Sequence, residues 1–201
     1  MQRTTDFLLA QFALDEAPRS ILAQVGAKFC AQSPVPMTVH RLAYAPQGRE
    51  AYLYCRLSAP TQLDDSVLPK LAATLGQVCT AARDIRISRL EKVFDIEGHS
   101  SKETPVVHYV VEMDPDAGWM PEIARWYDTE HMPGLAAVPG CIHATRFLNH
   151  DHGPQSLAFY DLVTPQTLGS PAWLAVRGTA WSDITRPHFT NTKRTMFEVI
   201  A

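Results

Sequence analysis

The segment Phe7-Leu8-Leu9-Ala10-Gln11-Phe12-Ala13-Leu14-Asp15 decides the fold, because the chain contains a second segment of the same kind. That segment is Val106-Val107-His108-Tyr109-Val110-Val111-Glu112-Met113-Asp114. Both are almost continuously apolar and both end on an aspartate, and a continuous apolar run is typical of a strand that is covered on both faces. Each segment is therefore predicted to be the first strand of one structural half.

The residues after each of these strands predict the same order of elements in both halves. In the first half we predict a strand at 7–14, a helix at 17–30, strands at 37–45 and 51–58, a helix at 67–82 and a strand at 85–96. In the second half we predict a strand at 106–113, a helix at 121–135, strands at 142–148 and 156–163, a helical stretch broken by proline and glycine from 167, and a strand at 195–200. The order βαββαβ is the ferredoxin-like one.

Identical residues recur between the two halves in the same order. The matching pairs are Arg41 and Arg146, Gly48 and Gly153, Leu57 and Leu162, Pro60 and Pro165, and Leu63 and Leu168. We interpret the chain as a diverged tandem duplication with an N-terminal half at 1–98 and a C-terminal half at 99–201. The spacing of the matches grows after the first strand, so the second half has gained residues before its hairpin.

We predict an α+β fold in which two ferredoxin-like βαββαβ halves form an intramolecular barrel. A single half would leave one face of its sheet exposed to water. Packing the two antiparallel sheets face to face hides these faces and places the helices outside. The polar segment 98–104 is long enough to join the halves.

The charge and cysteine patterns exclude several classes of protein. The net charge is −3 and lysines and arginines are scattered, so the basic stripe of a nucleic-acid-binding protein is missing. The first apolar run is short and flanked by Asp6 and Asp15, which argues against a signal peptide or a membrane span and favours the cytoplasm. The four cysteines lie far apart without zinc spacing, so we expect reduced, mostly buried thiols.

The segment Trp126-Tyr127-Asp128-Thr129-Glu130-His131-Met132-Pro133 is the candidate functional motif. It places two carboxylates, an imidazole and a phenol near one helix end. Helical spacing predicts Tyr127 and His131 in one row, and Pro133 with Gly134 is predicted to end the helix just after the histidine. The matching part of the first half has neither a histidine nor an acid, so function is expected in the second half only.

The motif, together with Val138-Pro139-Gly140, Arg146-Phe147 and Arg186-Pro187-His188-Phe189, resembles EthD-like proteins of the dimeric α+β barrel superfamily. The resemblance covers roughly residues 106–200. It implies a pocket between the sheet and the motif helix. The superfamily includes cofactor-free monooxygenases, polyketide cyclases, lactone isomerases and haem-binding enzymes, so the resemblance implies no single reaction.

The catalytic residues that we predict are His131, Tyr127 and Asp128. An imidazole has an ordinary pKa of about 6.5 and suits an acid or base, and Asp128 would orient it. Tyr127 and Arg146 would hold a ligand oxygen. The alternatives are structural: a histidine at a helix terminus, a solvated face or an ion pair with Arg125 for Asp128, a local acid as the partner of Arg146, and packing of the aromatic rings.

Trp126, Trp181 and His188 are predicted to bind the ligand together with Arg146. The two indoles would be walls for a flat molecule, and His188 would face the same cavity. The alternative for His188 is a surface histidine. The pair His150 and His152 lies in a turn that is typical of an exposed loop, so no metal site is predicted.

The sequence thus favours a protein that binds a small apolar, aromatic or polyketide-like ligand in its C-terminal half. Metal-free proton transfer without a cofactor is the expected chemistry, of an isomerase, cyclase or monooxygenase type. A non-catalytic binding or accessory protein is the alternative, and haem binding through His131 is a further one. Assembly into a homodimer is left open by the sequence.

Overall fold

A computed structural model describes residues 4–15 and 19–201 of the chain. Its strands are β1 (Thr5–Ala13), β2 (Met37–Ala45), β3 (Glu50–Thr61), β4 (Arg83–Glu97), β5 (Val107–Pro115), β6 (Cys141–Asn149), β7 (Ser156–Leu162) and β8 (Phe189–Val199). Its α-helices are α1 (Arg19–Gln32), α2 (Val67–Val78), α3 (Met120–Trp126), α4 (Met132–Ala136), α5 (Pro171–Arg177) and α6 (Ala180–Thr185). The predicted α+β class is confirmed. The predicted first helix begins at Ala17, which lies outside the described residues.

The strands pair in the same order in both halves of the sequence. The order is β4-β1-β3-β2 in the first half and β8-β5-β7-β6 in the second. Neighbouring strands run antiparallel, as in the pairs β1 with β3 and β5 with β7. This strand order follows from the βαββαβ sequence order of a ferredoxin-like sheet and confirms that prediction.

The chain divides into two compact units, each of which is formed by more than one segment of the sequence. The first unit comprises Met1–Glu91, Asn149–His152 and Phe197–Ala201, and the second comprises Lys92–Leu148 and Gly153–Met196. Strands β4 and β8 therefore each contribute residues to both units. The domain boundary at 98, the tandem duplication and the barrel remain predictions.

The core of the first unit joins α1 and α2 to the strands. Val25 and Phe29 face it from α1, and Leu71 and Leu75 face it from α2. In each helix these residues are four positions apart, which places them on one side. They pack with strand residues such as Leu53, and this burial fixes both helices on their sheet.

The core of the second unit is rich in aromatic residues. Trp126 and Tyr127 lie in it beside Tyr160 of β7 and Trp173 of α5. All seven residues of β7 are buried. The unit thus surrounds the predicted motif with large flat side chains.

The second half departs from the predicted elements after β7. A 3₁₀ turn at Pro165–Gly169 precedes α5 and another at Arg186–His188 follows α6, so the predicted helical stretch is a series of short helices. The hydroxyl groups of Ser170 and Thr179 accept hydrogen bonds from backbone N–H groups at the starts of α5 and α6. Strand β8 begins six residues earlier than predicted because its first part is polar and exposed, which hides the strand from a search for apolar periodicity.

The four cysteines are free thiols, as predicted. Cys55, Cys79 and Cys141 are buried and Cys30 is partly buried. The sulfur atoms of Cys30 and Cys55 lie 3.7 Å apart. Burial raises the pKa of the Cys141 thiol to about 12, so this thiol is not a reactive nucleophile.

Within residues 4–15 and 19–201, no helix combines the length and the apolar character that a membrane crossing requires.

Candidate active site

A π-helical turn, Tyr127–His131, connects α3 to α4 at the motif. The backbone N–H of Met132 donates to the carbonyl oxygen of Tyr127, five residues back. In a regular α-helix the ring of Pro133 would clash with the carbonyl of Thr129 and leave it without a donor. The wider turn accommodates this proline, and such turns often occur at functional sites.

The prediction that Pro133 and Gly134 end the helix is wrong. The helix continues to Ala136, with Pro133 in the first turn of α4. Gly134 is needed for packing, since a Cβ atom there would lie 2.8 Å from a methyl carbon of Val176 on α5. His131 is therefore inside a continuous helical segment and does not have the helix-terminus environment of the structural alternative.

The π-turn determines which rings His131 contacts. The imidazole stacks on Trp126, with ring centroids 4.1 Å apart and an interplanar angle of 23°. It meets Tyr127 edge-on at 5.6 Å and 70°. The predicted neighbour Tyr127 is in contact, but the closer ring is Trp126, five residues earlier, which the i to i+5 geometry of a π-turn brings to the same side.

A small cavity of about 30 Å³ opens beside these rings in the second unit. This volume holds only about one or two water molecules and is far below the range of about 300–1,000 Å³ of typical small-molecule sites, so a ligand would enter only if the lining side chains moved apart. The lining residues are Tyr109, Val111, Trp126, Tyr127, His131, Leu135, Tyr160, Trp173, Arg177, Arg186, Phe189 and Arg194. The walls are mainly aromatic, which suits a flat ligand.

Four of the lining side chains hold buried polar atoms without a hydrogen-bond partner among the described residues. These atoms are Nε1 of Trp126, Nδ1 of His131, the hydroxyl oxygen of Tyr160 and Nε1 of Trp173. The residues are between 1% and 7% exposed. Each such unpaired group costs about 1–3 kcal/mol, so their concentration around one cavity calls for a function.

The electrostatics keep these rings neutral. Burial, together with the positive charges of Arg186 and Arg177, lowers the pKa of His131 to about 3. Burial raises the pKa of Tyr127 and places the pKa of Tyr160 well above its ordinary value. At neutral pH the cavity therefore contains an uncharged imidazole and uncharged phenols.

Three arginines make one part of the lining cationic. Arg186 is desolvated, and its proximity to Arg177 and Arg194 helps to lower the pKa of its guanidinium group. Within residues 4–15 and 19–201 none of the three has a carboxylate within 4.0 Å. The cavity combines an apolar wall with unneutralised positive charge.

Asp128 and Arg146 form an ion pair with each other instead of the predicted contacts. Nη2 of Arg146 donates to both carboxylate oxygens of Asp128, at 2.7 and 2.9 Å. Arg146 is 3% exposed and its guanidinium lies 5.7 Å from the ring centre of Tyr127. Because a buried guanidinium requires a counter-charge, Asp128 neutralises Arg146 and does not orient His131, and Arg146 is not available for a ligand oxygen.

Replacing Asp128 with asparagine is expected to lower the free energy of unfolding by about 1–2 kcal/mol. The loss is moderate because the Asp128 side chain is 36% exposed and water screens it partly. Urea unfolding of Asp128→Asn, Arg146→Met and the double variant measures the coupling between the two residues. Glu122→Gln is the matched control, since it removes a charge from the exposed pair with Arg125, and a coupling no larger than in that pair would contradict the assignment.

Trp181 and His188, two predicted ligand contacts, do not belong to the lining of this cavity. Nε1 of Trp181 donates to Glu122 at 2.9 Å, and Arg125 covers its ring at 5.0 Å. His188 stacks on Trp119 at 3.4 Å and is hydrogen-bonded to Asp116 at 3.1 Å. Both side chains are turned away by these pairings with α3 and the segment before it.

Glu130 also has a structural contact. Its carboxylate accepts a hydrogen bond of 2.6 Å from the hydroxyl of Thr179, the residue that caps α6. This bond ties the π-turn to the start of α6. The motif thus divides into cavity residues, which are its rings, and structural residues, which are its acids.

Several residues that line the cavity were not predicted from the sequence. Tyr109 and Tyr160 are cross-strand partners on β5 and β7, so the register of two correctly predicted strands could have placed them together. Arg186 and Phe189 belong to a segment that the family resemblance had included. Trp173, Arg177 and Arg194 lie on elements whose predicted bounds were poor, and no sequence signal marked them.

Among residues 4–15 and 19–201, no group of three or more histidine, cysteine, aspartate or glutamate side chains has the arrangement of a metal site.

Comparison with known proteins identifies the fold. No family model and no curated protein sequence matches the chain. Solved structures do match: an anthrone oxidase-like protein has a TM-score of 0.66 at 12% identity, over 100% of this chain and 93% of that chain. The chain has the fold of that protein. A ferredoxin-fold protein from Listeria monocytogenes related to antibiotic biosynthesis monooxygenases has a TM-score of 0.55 at 8% identity, over 98% and 96% of the two chains.

A mutant chlorite dismutase from Candidatus Nitrospira defluvii is also similar, with a TM-score of 0.61 at 10% identity over 96% of this chain and 90% of that chain. These likenesses agree with the ferredoxin-like fold that the sequence predicts. At such low identity they show the fold alone, and the activity has to be argued from the cavity.

Proposed function

We propose that the cavity of the second unit binds a small, flat aromatic ligand and that His131 exchanges a proton with it without a metal. The observation that supports this proposal most directly is the group of unpaired buried polar atoms around the cavity. A ligand with oxygen atoms at its edge would give these groups partners and cover the aromatic walls. The same site would be costly to keep if it bound nothing.

His131 is the proposed base because it lines the cavity and its buried Nδ1 atom has no hydrogen-bond partner among the described residues. With a pKa of about 3 the imidazole is neutral at pH 7, so one ring nitrogen holds a lone pair. An acidic C–H or O–H of the ligand would give its proton to this nitrogen, and the bonding electrons would stay on the ligand as an enolate or phenolate. The negative charge formed would then stabilise the imidazolium beside it.

Tyr127 is proposed as a wall of the site and not as an acid. It is buried and lies between the imidazole and Phe189, whose ring centroid is 6.0 Å from its own. Its raised pKa keeps the hydroxyl protonated. Trp126 supports the imidazole by stacking and offers its N–H to the ligand.

The second candidate is a non-catalytic binding or accessory protein. The lowered pKa of His131 favours this alternative, because an imidazole that resists protonation is a weak base in the empty site. Both candidates require ligand binding in the same cavity. They differ only in whether a proton moves.

Haem binding through His131 does not fit the site. The unpaired Nδ1 atom meets one requirement of an axial ligand. The imidazole, however, is stacked on Trp126, and a cavity of about 30 Å³ is far too small for a four-pyrrole macrocycle with two propionates. A Soret band in the absorption spectrum of the purified protein would overturn this conclusion.

Membership of the EthD-like family is part of the proposal and is based on the motif around His131. The polyketide-like character of the ligand is also part of the proposal. The cytoplasmic location remains a prediction from the sequence, which leaves the assembly into a homodimer open.

Proton exchange into anthrone tests the proposed chemistry. Anthrone is an enolisable three-ring ketone, and we choose it because one similar structure is described as anthrone oxidase-like. In D₂O under nitrogen, NMR should show deuterium entering its methylene group faster with the protein than without it. His131→Gln is expected to lower the catalysed rate about 100-fold or more.

His188→Gln is the matched control because it removes a histidine outside the cavity and should leave the exchange rate unchanged. Ligand binding is measured separately by quenching of tryptophan fluorescence. Wild-type exchange rates in His131→Gln would contradict the proposed base. Binding of anthrone without any catalysed exchange would favour the non-catalytic candidate.

A further inference from the structure

Arg177, Arg186 and Arg194 bring positive charge to one cavity from three different elements. Arg177 ends α5, Arg186 begins the 3₁₀ turn after α6, and Arg194 lies on β8. The whole chain has a net charge of −3, so this concentration opposes its overall charge. Some other arginines of the chain are paired with acids, as Arg146 is with Asp128 and Arg89 with Asp151.

We infer that the cavity takes aromatic ligands that carry an anionic oxygen, a carboxylate or an ionised enol or phenol, and that these three arginines bind it. The inference rests on the proposed function in so far as it uses the same cavity. The geometry supports it in two ways: the arginines line the cavity together, and none has a carboxylate within 4.0 Å among the described residues. A bound oxyanion would supply the missing counter-charge.

The mutual repulsion of the arginines is the reason that an anion is favoured over a neutral ligand. The guanidinium group of Arg186 is partly buried, and burial with its two arginine neighbours disfavours its charge, which Asp183 offsets only in part. Removing water from this group without supplying a counter-charge is unfavourable. An oxyanion at this position accepts charge-assisted hydrogen bonds and relieves the repulsion at the same time.

The same arginines connect the charge of the ligand to the protonation of His131. Arg186 and Arg177 both disfavour the imidazolium form. An anion bound between the arginines and the imidazole would offset their effect and raise the pKa of His131. Ligand charge and proton uptake by the imidazole are therefore coupled, and by linkage each favours the other.

Binding of 1-naphthoate and its methyl ester tests the inference. The two compounds share their rings and differ in the charge of the carboxyl group. Quenching of tryptophan fluorescence should show that wild-type protein binds 1-naphthoate about ten-fold more tightly than the ester, and that added salt weakens the binding of 1-naphthoate only. A third probe, 1-naphthol, distinguishes the two sources of the anion, because the absorbance of its ionised form shows whether it is bound as the naphtholate.

The variants Arg186→Gln and Arg194→Gln are each expected to weaken 1-naphthoate binding about ten-fold and to leave the affinity for the ester unchanged. Arg56→Gln is the matched control, since it removes an exposed arginine of β3 that does not line the cavity. In an NMR titration of wild-type protein, 1-naphthoate should raise the pKa of His131 and the ester should not. Circular dichroism confirms that each variant is folded.

Equal affinities of wild-type protein for 1-naphthoate and the ester would overturn the inference and leave ligand binding in the cavity intact. An equal decrease in the affinities of folded Arg186→Gln for 1-naphthoate and the ester would also overturn the inference, since the arginine would then only shape the pocket. No binding of either compound would overturn both the inference and the proposed function. Selective binding of 1-naphthoate without exchange into anthrone would support the anion site and contradict the proposed catalysis.

Discussion

Replacing Trp126 with alanine is expected to lower the free energy of unfolding by about 3–5 kcal/mol, as for other large aromatic residues in protein cores. Trp126 is 1% exposed and stacks on His131, with Tyr127 and Phe189 as further ring neighbours. The substitution leaves a cavity that the helical segment around it cannot fill. Urea unfolding followed by circular dichroism measures the loss.

Two further variants separate packing from the unpaired N–H group. Trp126→Phe keeps a ring and removes the buried donor, so it is expected to cost much less than the alanine variant. Trp181→Ala removes an indole that is partly exposed, and its expected cost is about 1 kcal/mol. A loss in Trp126→Phe as large as in Trp126→Ala would show that Nε1 of Trp126 does have a partner.

Lowering the pH is expected to destabilise the native protein through His131. The folded pKa of about 3 lies below the unfolded value of about 6.5, so the unfolded state binds the proton first. The stability due to the neutral buried imidazole is fully present above pH 6.5 and decreases as the pH falls towards 3. At about 1.4 kcal/mol per pH unit, the loss is about 3 kcal/mol at pH 4.

The measurement is a series of urea unfolding curves between pH 8 and pH 4 for wild-type protein and His131→Gln. The variant lacks the titrating group, so the difference between the two proteins should change with pH by the amount given above. His188→Gln is the control because it retains His131 and therefore the pH-dependent contribution of His131 to stability. Parallel stability profiles of wild type and His131→Gln would show that the imidazole titrates normally in the native state.

The fold was predictable from local signals because strands and hairpins follow short-range patterns. Strand β2 has the predicted bounds, Met37–Ala45, and the other strands of the first half differ by a few residues at their ends. The strand order then followed from the order of the elements. The exposed first part of β8 was missed because its polar residues do not show the apolar alternation that marks a half-buried strand.

The site was predicted only in part, because the sequence does not show how side chains pair across elements. Tyr127 and His131 were predicted in one row and are in contact because they are four residues apart, whereas the closer stack of His131 on Trp126 arises from the π-turn. The pair of Asp128 with Arg146 depends on the position of β6 beside the π-turn, which local spacing cannot give. The π-turn itself was not predicted because a proline inside a helical pattern normally indicates that the helix ends there.

The distribution of β8 over the two units has a consequence for the synthesis of the protein. The N–H of Leu42 on β2 donates to the carbonyl oxygen of Ala201 at 2.7 Å, and the ring of Phe197 packs on Tyr52 at 4.5 Å. These residues of the first unit are made after almost all of the second. During translation, the edge of β2 therefore stays uncovered until residues 197–201 emerge from the ribosome, although most of the first unit has been synthesised by then.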